Sequence, residues 1–210
     1  MEGPDIQTVG TIIKLKILDF NEKHSYDGSQ IKPLWALSTL KLSGNSIVVF
    51  RGAMRIEQSE MVDAQDIVRE QALADILISG DDCIHFIIEM FDTQPASLKL
   101  AYHRLHLLAH IAQKVIEETA GVKLEKKGTD LYCEKRKLNV GIATCANNSA
   151  KIHFGLNVVS SGVPKHVQAV GLNELTDKPL KLEEIGKKIA EEFIIEIDQI
   201  ENDIVKTRTF

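Results

Sequence analysis

The sequence has few of the features that mark several large protein classes. It holds only 3 cysteines, Cys83, Cys133 and Cys145, and no CxxC pair, which argues against a disulfide-rich secreted domain and against a thiolate zinc site. Because all three lie in apolar, strand-like runs, we expect reduced thiols in the core of a cytoplasmic protein. The G-x-S-x-G elbow, the P-loop and the Rossmann glycine fingerprint are missing too, so the hydrolase, NTPase and dehydrogenase motifs find no match.

Long apolar runs and an excess of basic charge are also lacking. No stretch approaches the ~20 apolar residues that span a bilayer, and the first residues hold no apolar segment of the signal-peptide type. The formal net charge is −5 and no long segment is strongly basic, so we expect neither nucleic acid nor a membrane surface as a partner. A chain of 210 residues is long enough for one sizeable core, and we predict a single domain over residues 1–210.

Hydrophobic periodicity predicts an α+β protein. Apolar runs and period-2 alternation predict strands at residues 11–20, 46–50, 83–91, 131–132, 138–145 and 151–158. A 3.6-residue period and capping signals predict helices from Asp63 to near Gly80, from after Pro95 to Gly121, and from Leu182 to about Val205. Residues 21–33 are polar and rich in turn formers, and we predict a loop there. We expect the sheet to pack on the two long helices.

The two long helices carry further patterns. His103, His106 and His110 share the face opposite the apolar stripe of the first helix, which runs from Leu98 to Ile116. Three imidazoles at this spacing span ~10 Å along the axis, too far for one zinc ion, so we predict no metal site and a solvated or interface face. The apolar stripe of the second helix, from Ile185 to Ile204, is a candidate seam for a homodimer.

Polar residues on two of the predicted strands mark a candidate cleft. His85 and Glu89 share the mixed face of one strand, and His153, Gly155 and Asn157 share one face of another. If the helices cover the apolar faces of these strands, the mixed faces together form the floor of a cleft. The alternative is a pair of polar faces that merely meet water. Gly155 favours the cleft, because a glycine lets a ligand approach the backbone.

The densest group of charged residues lies at 126–142, in KKGTDLYCEKRKLNVGI, and is followed by IHFGLNV at 152–158. These segments resemble the central part of biotin protein ligases, whose pattern runs K-W-P-N-D-x-Y, then R-K-L-x-G-I, and later G-I-G-I-N-V. They also look like an uncharacterised prokaryotic family of unknown function that is grouped with the biotin/lipoate ligases and class II synthetases. The residues that match the ligase pattern are Asp130, Leu131, Tyr132, Arg136, Lys137, Leu138, Gly141, Ile142, Gly155, Asn157 and Val158.

The resemblance implies a fold and a reaction. The fold would be α+β, of the biotin/lipoate protein ligase and class II aminoacyl-tRNA synthetase type, with a mixed or antiparallel sheet packed on two long helices. The reaction would join a small carboxylic acid to a nucleotide as an acyl-adenylate, with ATP and Mg²⁺, and pass the acyl group to an acceptor protein. Lys137 would be the catalytic residue, because its charge would lie between the carboxylate and the α-phosphate. Together with the cleft residues, the candidate ligand-binding set is Lys126, Thr129, Asp130, Arg136, Gly155, Asn157, His85, Glu89 and His153.

The segment also departs from the ligase pattern. Lys127, Gly128 and Thr129 stand where the ligases have Trp, Pro and Asn. One extra residue, either Asn139 or Val140, lies between Leu138 and Gly141, the glycine that matches the ligase pattern. In a strand, such an insertion predicts a bulge or a shifted face.

The phosphate-wrapping ligase loop G-R-G-R-x-G-R is absent, and the nearest candidates for its role are Arg51 and Arg55. Arg136 and Lys137 also fit a solvated basic turn, and Asp130 fits a cap of the turn before it. Two functional hypotheses therefore stand side by side. One is an ATP-dependent ligase or acyltransferase, and the other is a non-catalytic protein of the same fold that binds a metabolite or a protein partner.

Overall fold

The computed structural model describes residues 13–22, 24–62 and 77–208. The strands within these ranges are β1 (Lys14–Ile17), β2 (His24–Tyr26), β3 (Ser46–Glu57), β4 (Leu77–Met90), β5 (Glu125–Lys127), β6 (Asp130–Cys133), β7 (Arg136–Lys137), β8 (Asn139–Cys145) and β9 (Ala150–Asn157). The α-helices are α1 (Trp35–Leu40), α2 (Leu98–Ala120) and α3 (Leu182–Val205). Short 3₁₀ turns cover Ser29–Ile31, Gln58–Glu60 and Leu172–Glu174.

Six of the strands form one mixed sheet in the order β1-β3-β4-β9-β8, with β2 also paired to β3. β1 and β2 run parallel to β3, whereas the β3–β4, β4–β9 and β8–β9 pairs are antiparallel. The approach of β2 depends on Gly52, because a Cβ there would lie 1.6 Å from the carbonyl oxygen of His24. Glycine therefore lets β2 reach the sheet and bring Tyr26 onto it.

The two long helices cover one face of this sheet. Along β4, Ile84, Phe86, Ile88 and Met90 belong to the core beneath the helices, as period-2 alternation predicts. The Ser97 hydroxyl accepts a hydrogen bond from Leu100 N–H at the start of α2, which satisfies a backbone donor that the helix leaves free. The helices supply to this core Ala101, Leu105, Leu108, Ala112, Ile116, Ile185, Ile189 and Phe193.

The opposite face of the sheet carries a second, smaller apolar cluster that includes Tyr26, Phe50, Met54 and Ile87. Next to it stands a three-stranded antiparallel sheet in the order β5-β6-β7. The chain passes from this small sheet to the main one at Leu138, whose N–H donates to the Leu131 carbonyl at 2.9 Å. The small sheet is thereby fixed beside the end of β9.

The observed fold confirms the predicted mixed sheet and the two long helices, and it corrects several boundaries. Residues 21–33, predicted as a loop, contain β2 and a 3₁₀ turn, because a three-residue strand is too short to show a period. Residues 77–80 belong to β4, so the helix predicted to end near Gly80 does not reach that point. The rest of that predicted helix, and the start of the predicted strand at 11–12, lie outside the described residues.

The apolar stripes of the helices extend beyond the core. Leu98 is 49 % exposed, and Ile200 and Ile204 are 41 % and 59 % exposed, so these positions do not belong to the buried faces predicted from the period.

None of the helices in the described part of the chain combines the length and apolar character that a membrane crossing requires. The homodimer seam on α3 stays a prediction.

Two further local predictions need correction. Cys83 is buried, but Cys133 and Cys145 are only partly buried, because they lie at the ends of their strands rather than in the core. The ladder between β8 and β9 runs without a register shift from Asn139 to Cys145. A bulge at Asn139 or Val140 is therefore wrong, because every residue of β8 has a partner in β9, and the alternative of a shifted face stays a prediction.

Candidate functional site

A cavity of about 450 Å³ lies between the second face of the main sheet, the small sheet and the segment that follows β9. This volume is in the range of small-molecule sites. Much of the lining is apolar, and includes Ile31, Met54, Ile56, Val140, Ile142 and Val167. The polar lining includes Thr129, Asp130, Lys137, Asn139, His153 and Asn157. The cavity therefore suits a ligand with an apolar body and a polar end.

Lys137 brings a positive charge to this lining. Its Nζ lies 2.8 Å from Oδ2 of Asp130, with the two side chains 28 % and 29 % exposed. The backbone of Lys137 is fixed on both sides, because its N–H donates to the Gln168 carbonyl at 2.7 Å and its carbonyl accepts from Val170 N–H at 3.0 Å. These bonds fix the backbone of Lys137, and the Asp130 carboxylate holds its ammonium group.

Two buried asparagines join the small sheet to the main sheet. The side chain of Asn139 accepts from Leu131 N–H at 2.7 Å and donates to the Thr129 carbonyl at 3.0 Å. The side chain of Asn157 donates to the Lys137 carbonyl at 3.4 Å. These amide bonds fix the predicted residues Thr129 and Lys137 relative to the cavity, and Asn157 thus supports the site as well as lining it.

A stack of aromatic rings forms the floor at the other end. His85 and His153 are both buried, and Nδ1 of His85 lies 3.0 Å from Nε2 of His153. Nε2 of His85 lies 3.2 Å from the Gly52 carbonyl oxygen. The Tyr26 ring stacks on His153 with 3.6 Å between centroids, and Phe50 packs against His85 at 4.9 Å. The two histidines predicted for the cleft floor are therefore in direct contact, and His153 reaches the cavity lining.

Burial should make the stability of the protein depend on pH through these rings. Desolvation lowers the pKa of His85 from 6.5 to about 4 and also lowers that of His153. Between pH 6.5 and about 4 the unfolded chain binds more protons than the folded one, so stability is full above pH 6.5 and falls as pH drops through this window. We expect a loss of about 1 kcal/mol or more per pH unit in urea unfolding between pH 6.5 and 5.

The His85→Phe variant should show a shallower fall over the same window. The His103→Gln variant, whose imidazole is exposed on α2, should follow the wild-type curve and serves as the control. Equal unfolding free energies of the wild type at pH 7 and pH 5 would contradict the neutral buried pair.

Other predicted ligand-binding residues lie off the cavity lining. A Cβ on Gly155 would meet the His153 ring and the Val140 side chain, each at 3.3 Å, so protein atoms occupy the space that the glycine leaves. Lys126 lies on β5 outside the lining, and the Arg136 side chain is 41 % exposed beside the cavity. The structure thus brings together only part of the predicted set.

The two arginines proposed to replace the phosphate loop lie off the cavity lining. Arg51 forms a double hydrogen bond to Asp82, with its Nε and a terminal nitrogen 3.0 Å and 2.6 Å from Oδ2. Arg55 lies 4.0 Å from Asp81 at the surface. Neither side chain contributes to the cavity lining described above.

Glu89 lies in a different part of the sheet from the cavity. It is 2 % exposed and forms an ion pair with the equally buried Lys151 at 2.8 Å. Its Oε1 accepts hydrogen bonds from the Leu34 N–H and the Ser149 hydroxyl, both at 2.9 Å. Leu34 has a positive φ of 64°, so Glu89 stabilises an unfavourable backbone conformation in the loop before α1. Its contacts point to an anchoring role.

Sequence reasoning missed several lining residues. The sequence predicts a loop around Tyr26 and an insertion at Asn139 or Val140, and residues 163–169 carry no strand or helix signal. The cavity is lined by Val163, Pro164, His166, Val167 and Ala169 from that last segment. The sequence does contain one indication of this site, which is Asn139. An asparagine in a predicted strand next to Lys137 needs hydrogen-bond partners if it is buried, and such partners have to come from neighbouring segments.

The architecture is that of biotin protein ligases. A biotin protein ligase from Aquifex aeolicus, solved in complex with biotin and ATP, matches with a TM-score of 0.59 and 17 % identity over 89 % of this chain and 70 % of that one. A biotin protein ligase from Leishmania major, solved with biotinyl-5-AMP, matches with a TM-score of 0.54 and 9 % identity over 89 % and 74 % of the two chains. At such identities the likeness establishes the fold, and it confirms the predicted fold class.

The chain belongs to the family described as domain of unknown function DUF366, which matches residues 15–208. An uncharacterized protein of Methanocaldococcus jannaschii is 41 % identical over 193 residues, which are 92 % of this chain and 84 % of that protein. A protein of unknown function from Pyrococcus horikoshi matches with a TM-score of 0.83 and 34 % identity, over 94 % and 99 % of the two chains. These matches confirm the resemblance to an uncharacterised family with a ligase-like fold.

Proposed function

We propose that the protein binds a small carboxylic acid and a nucleotide in the cavity and joins them as an acyl-adenylate for transfer to an acceptor protein. The observation that carries the proposal is the position of Lys137, a charged residue with a fixed backbone in a cavity lining that combines apolar and polar side chains. The fold adds support by analogy, because the ligases of Aquifex aeolicus and Leishmania major bind biotin with ATP and biotinyl-5-AMP.

The proposed role of Lys137 is electrostatic. The carboxylate oxygen of the acid forms a bond to the α-phosphorus of the nucleotide, the bond from that phosphorus to the bridging oxygen breaks, and pyrophosphate leaves. Negative charge increases on the phosphoryl oxygens as the bond forms, and an ammonium group already in place stabilises it. In the second step a nucleophile of the acceptor attacks the acyl carbon, and AMP leaves.

Asp130 has two effects in this proposal. Its carboxylate lies 2.8 Å from Lys137 Nζ, which directs the ammonium group and partly offsets its charge. Within the described ranges, no group of three or more His, Cys, Asp or Glu side chains is placed to hold a metal ion. A magnesium ion would be held mainly by the phosphates of its nucleotide, as is usual for this ion, and Asp130 and Glu60 are the carboxylates of the described cavity lining that could add a ligand.

The experiment that tests the proposal is ATP–pyrophosphate exchange with a panel of acids. Wild-type protein, Mg-ATP and labelled pyrophosphate should give label in ATP when biotin, lipoate, a fatty acid or an amino acid of the right kind is present. Exchange that appears only with one acid identifies the substrate class as well as the reaction. The absence of exchange with every acid, in protein that melts cooperatively, would contradict acyl-adenylate formation.

A second candidate function is a non-catalytic binding protein of the same fold. The observation that favours it is that Arg51 is paired with Asp82 and that neither Arg51 nor Arg55 belongs to the cavity lining, so these two arginines do not supply the missing phosphate loop there. The melting temperature with and without Mg-ATP separates the two candidates. Binding at 100 times the dissociation constant stabilises the fold by about 2.7 kcal/mol, whereas a protein that binds only a metabolite shows no shift with Mg-ATP.

A further inference from the structure

One backbone carbonyl determines the protonation of the two stacked histidines. The Gly52 oxygen can only accept, so Nε2 of His85, which lies 3.2 Å away, carries a proton. In a neutral ring the lone pair of His85 is then on Nδ1, and it accepts from Nε2–H of His153 at 3.0 Å. Burial keeps both rings neutral, because it lowers the pKa of each. The chain of bonds therefore leaves Nδ1 of His153 as an acceptor.

This acceptor is available to a ligand. The Cε1–Nε2 edge of the His153 ring rests against Gly155, and one ring face is covered by Tyr26. Among the residues that the structure describes, His153 has no hydrogen bond besides the one to His85, and the side chain is part of the cavity lining. An acceptor in a site from which a ligand expels water is costly unless the ligand supplies a donor.

The distance from His153 to the charged end of the cavity indicates the length of the ligand. His153 and Asn157 lie on the same face of β9 and are four residues apart, roughly 13 Å at ~3.3 Å per residue. Asn157 donates to the carbonyl of Lys137, so it marks the charged end of the cavity. Val140 of β8, which pairs with Gly155, lies between the two, and Ile142 pairs with His153 itself, so apolar surface begins beside the ring and continues toward the charged end.

We propose that His153 selects the ligand, and that the acid bound here carries an N–H or O–H donor on its tail, for which Nδ1 of His153 is the acceptor. The inference rests on the proposed function for the carboxylate end and adds the chemical class of the tail. A ureido, amide or hydroxyl tail supplies the donor across an apolar linker. A plain alkyl tail leaves Nδ1 without a partner and is bound less tightly.

Calorimetric titration with two matched acids tests this inference. One is a straight-chain acid that ends in a ureido group, and the other is a plain alkyl acid of the same length. Wild-type protein should bind the ureido acid about 10-fold more tightly or better, the usual effect of one buried hydrogen bond. The His153→Phe variant keeps an aromatic ring beside Tyr26 and loses the acceptor, so it should bind the two acids about equally and keep its affinity for the alkyl acid.

The outcomes separate this inference from the function on which it rests. If wild-type protein binds both acids equally, or if His153→Phe keeps the preference, the role of His153 is wrong and the proposed function stands. If neither acid binds, both fail. Nitrogen-15 NMR of the wild-type imidazoles gives a check that needs no variant: His85 and His153 should both be Nε2–H tautomers, and a Nδ1–H tautomer of His153 overturns the inference.

Discussion

Replacing Lys137 with glutamine should slow acid-dependent ATP–pyrophosphate exchange by about 100-fold or more, because the variant loses the charge that stabilises the transition state. Glutamine keeps a polar side chain of similar reach, so the loss is mainly one of charge. The backbone bonds of Lys137 to Gln168 and Val170 do not involve the side chain and should persist. The affinity for the acid should change less than the exchange rate, since the charge acts most strongly when the phosphorus is attacked.

The control for this variant is Lys123→Gln. Lys123 is exposed in the segment between α2 and β5, outside the cavity, and its replacement should leave the exchange rate unchanged. Melting curves of both variants report whether the fold is intact. An exchange rate of Lys137→Gln close to that of Lys123→Gln would contradict the catalytic role of Lys137.

The second large effect should come from Glu89, far from the proposed chemistry. The Glu89→Gln variant should lower the free energy of unfolding by about 3–5 kcal/mol, because it leaves the buried ammonium of Lys151 without its counter-charge. Glutamine still offers an oxygen to the Leu34 N–H and the Ser149 hydroxyl, which are bonded to Glu89. The substitution therefore removes the charge and keeps these hydrogen bonds. Urea unfolding at neutral pH measures how much the charge contributes to the free energy of unfolding.

Two further variants show whether burial is the cause. Lys187→Met removes the exposed pair of Lys187 with Glu191 at 3.7 Å on α3, and it should cost about 1 kcal/mol or less. The double variant Glu89→Leu with Lys151→Met replaces both buried charges by apolar groups and should recover much of the stability that Glu89→Gln loses. A cost of Glu89→Gln as small as that of Lys187→Met would show that the ion pair is not effectively buried.

The parts of the fold that the sequence predicts well are those with a strong period. The wholly apolar face of Ile84, Phe86 and Ile88, opposite a mixed face, predicts both the strand and its core side, and these residues lie in the core beneath the helices. The residues of α3, Leu182–Val205, coincide with the helix predicted from its stripe and the preceding proline. In both cases the burial of one face decides the secondary structure, so the pattern is visible locally.

The parts that the sequence does not predict depend on contacts between distant residues. β2 has three residues and forms because Gly52 leaves space for it, a condition that lies 28 residues further along the chain than His24. The pairing of Arg51 with Asp82 arises because β3 and β4 are neighbours. No local pattern in either segment shows which carboxylate an arginine meets.

The candidate site was predictable only in part for the same reason. A motif identifies Lys137, Asp130 and Asn157 as candidates, and the structure places them on one lining. His85 and His153 were predicted to share a cleft floor but not to bond to each other, because that bond depends on the register of β4 with β9, in which His85 pairs with Gly155. Register between strands is a property of the assembled sheet.

Calorimetric titration of wild-type protein with Mg-ATP together with each acid of the panel tests the central claim most directly. The proposed site predicts a saturable heat for at least one acid in the presence of Mg-ATP, and the Lys137→Gln variant should keep most of this binding, because its loss falls mainly on the exchange rate. Wild-type protein that folds cooperatively and gives no saturable heat with Mg-ATP or with any acid would contradict the claim that this cavity binds an acid and a nucleotide.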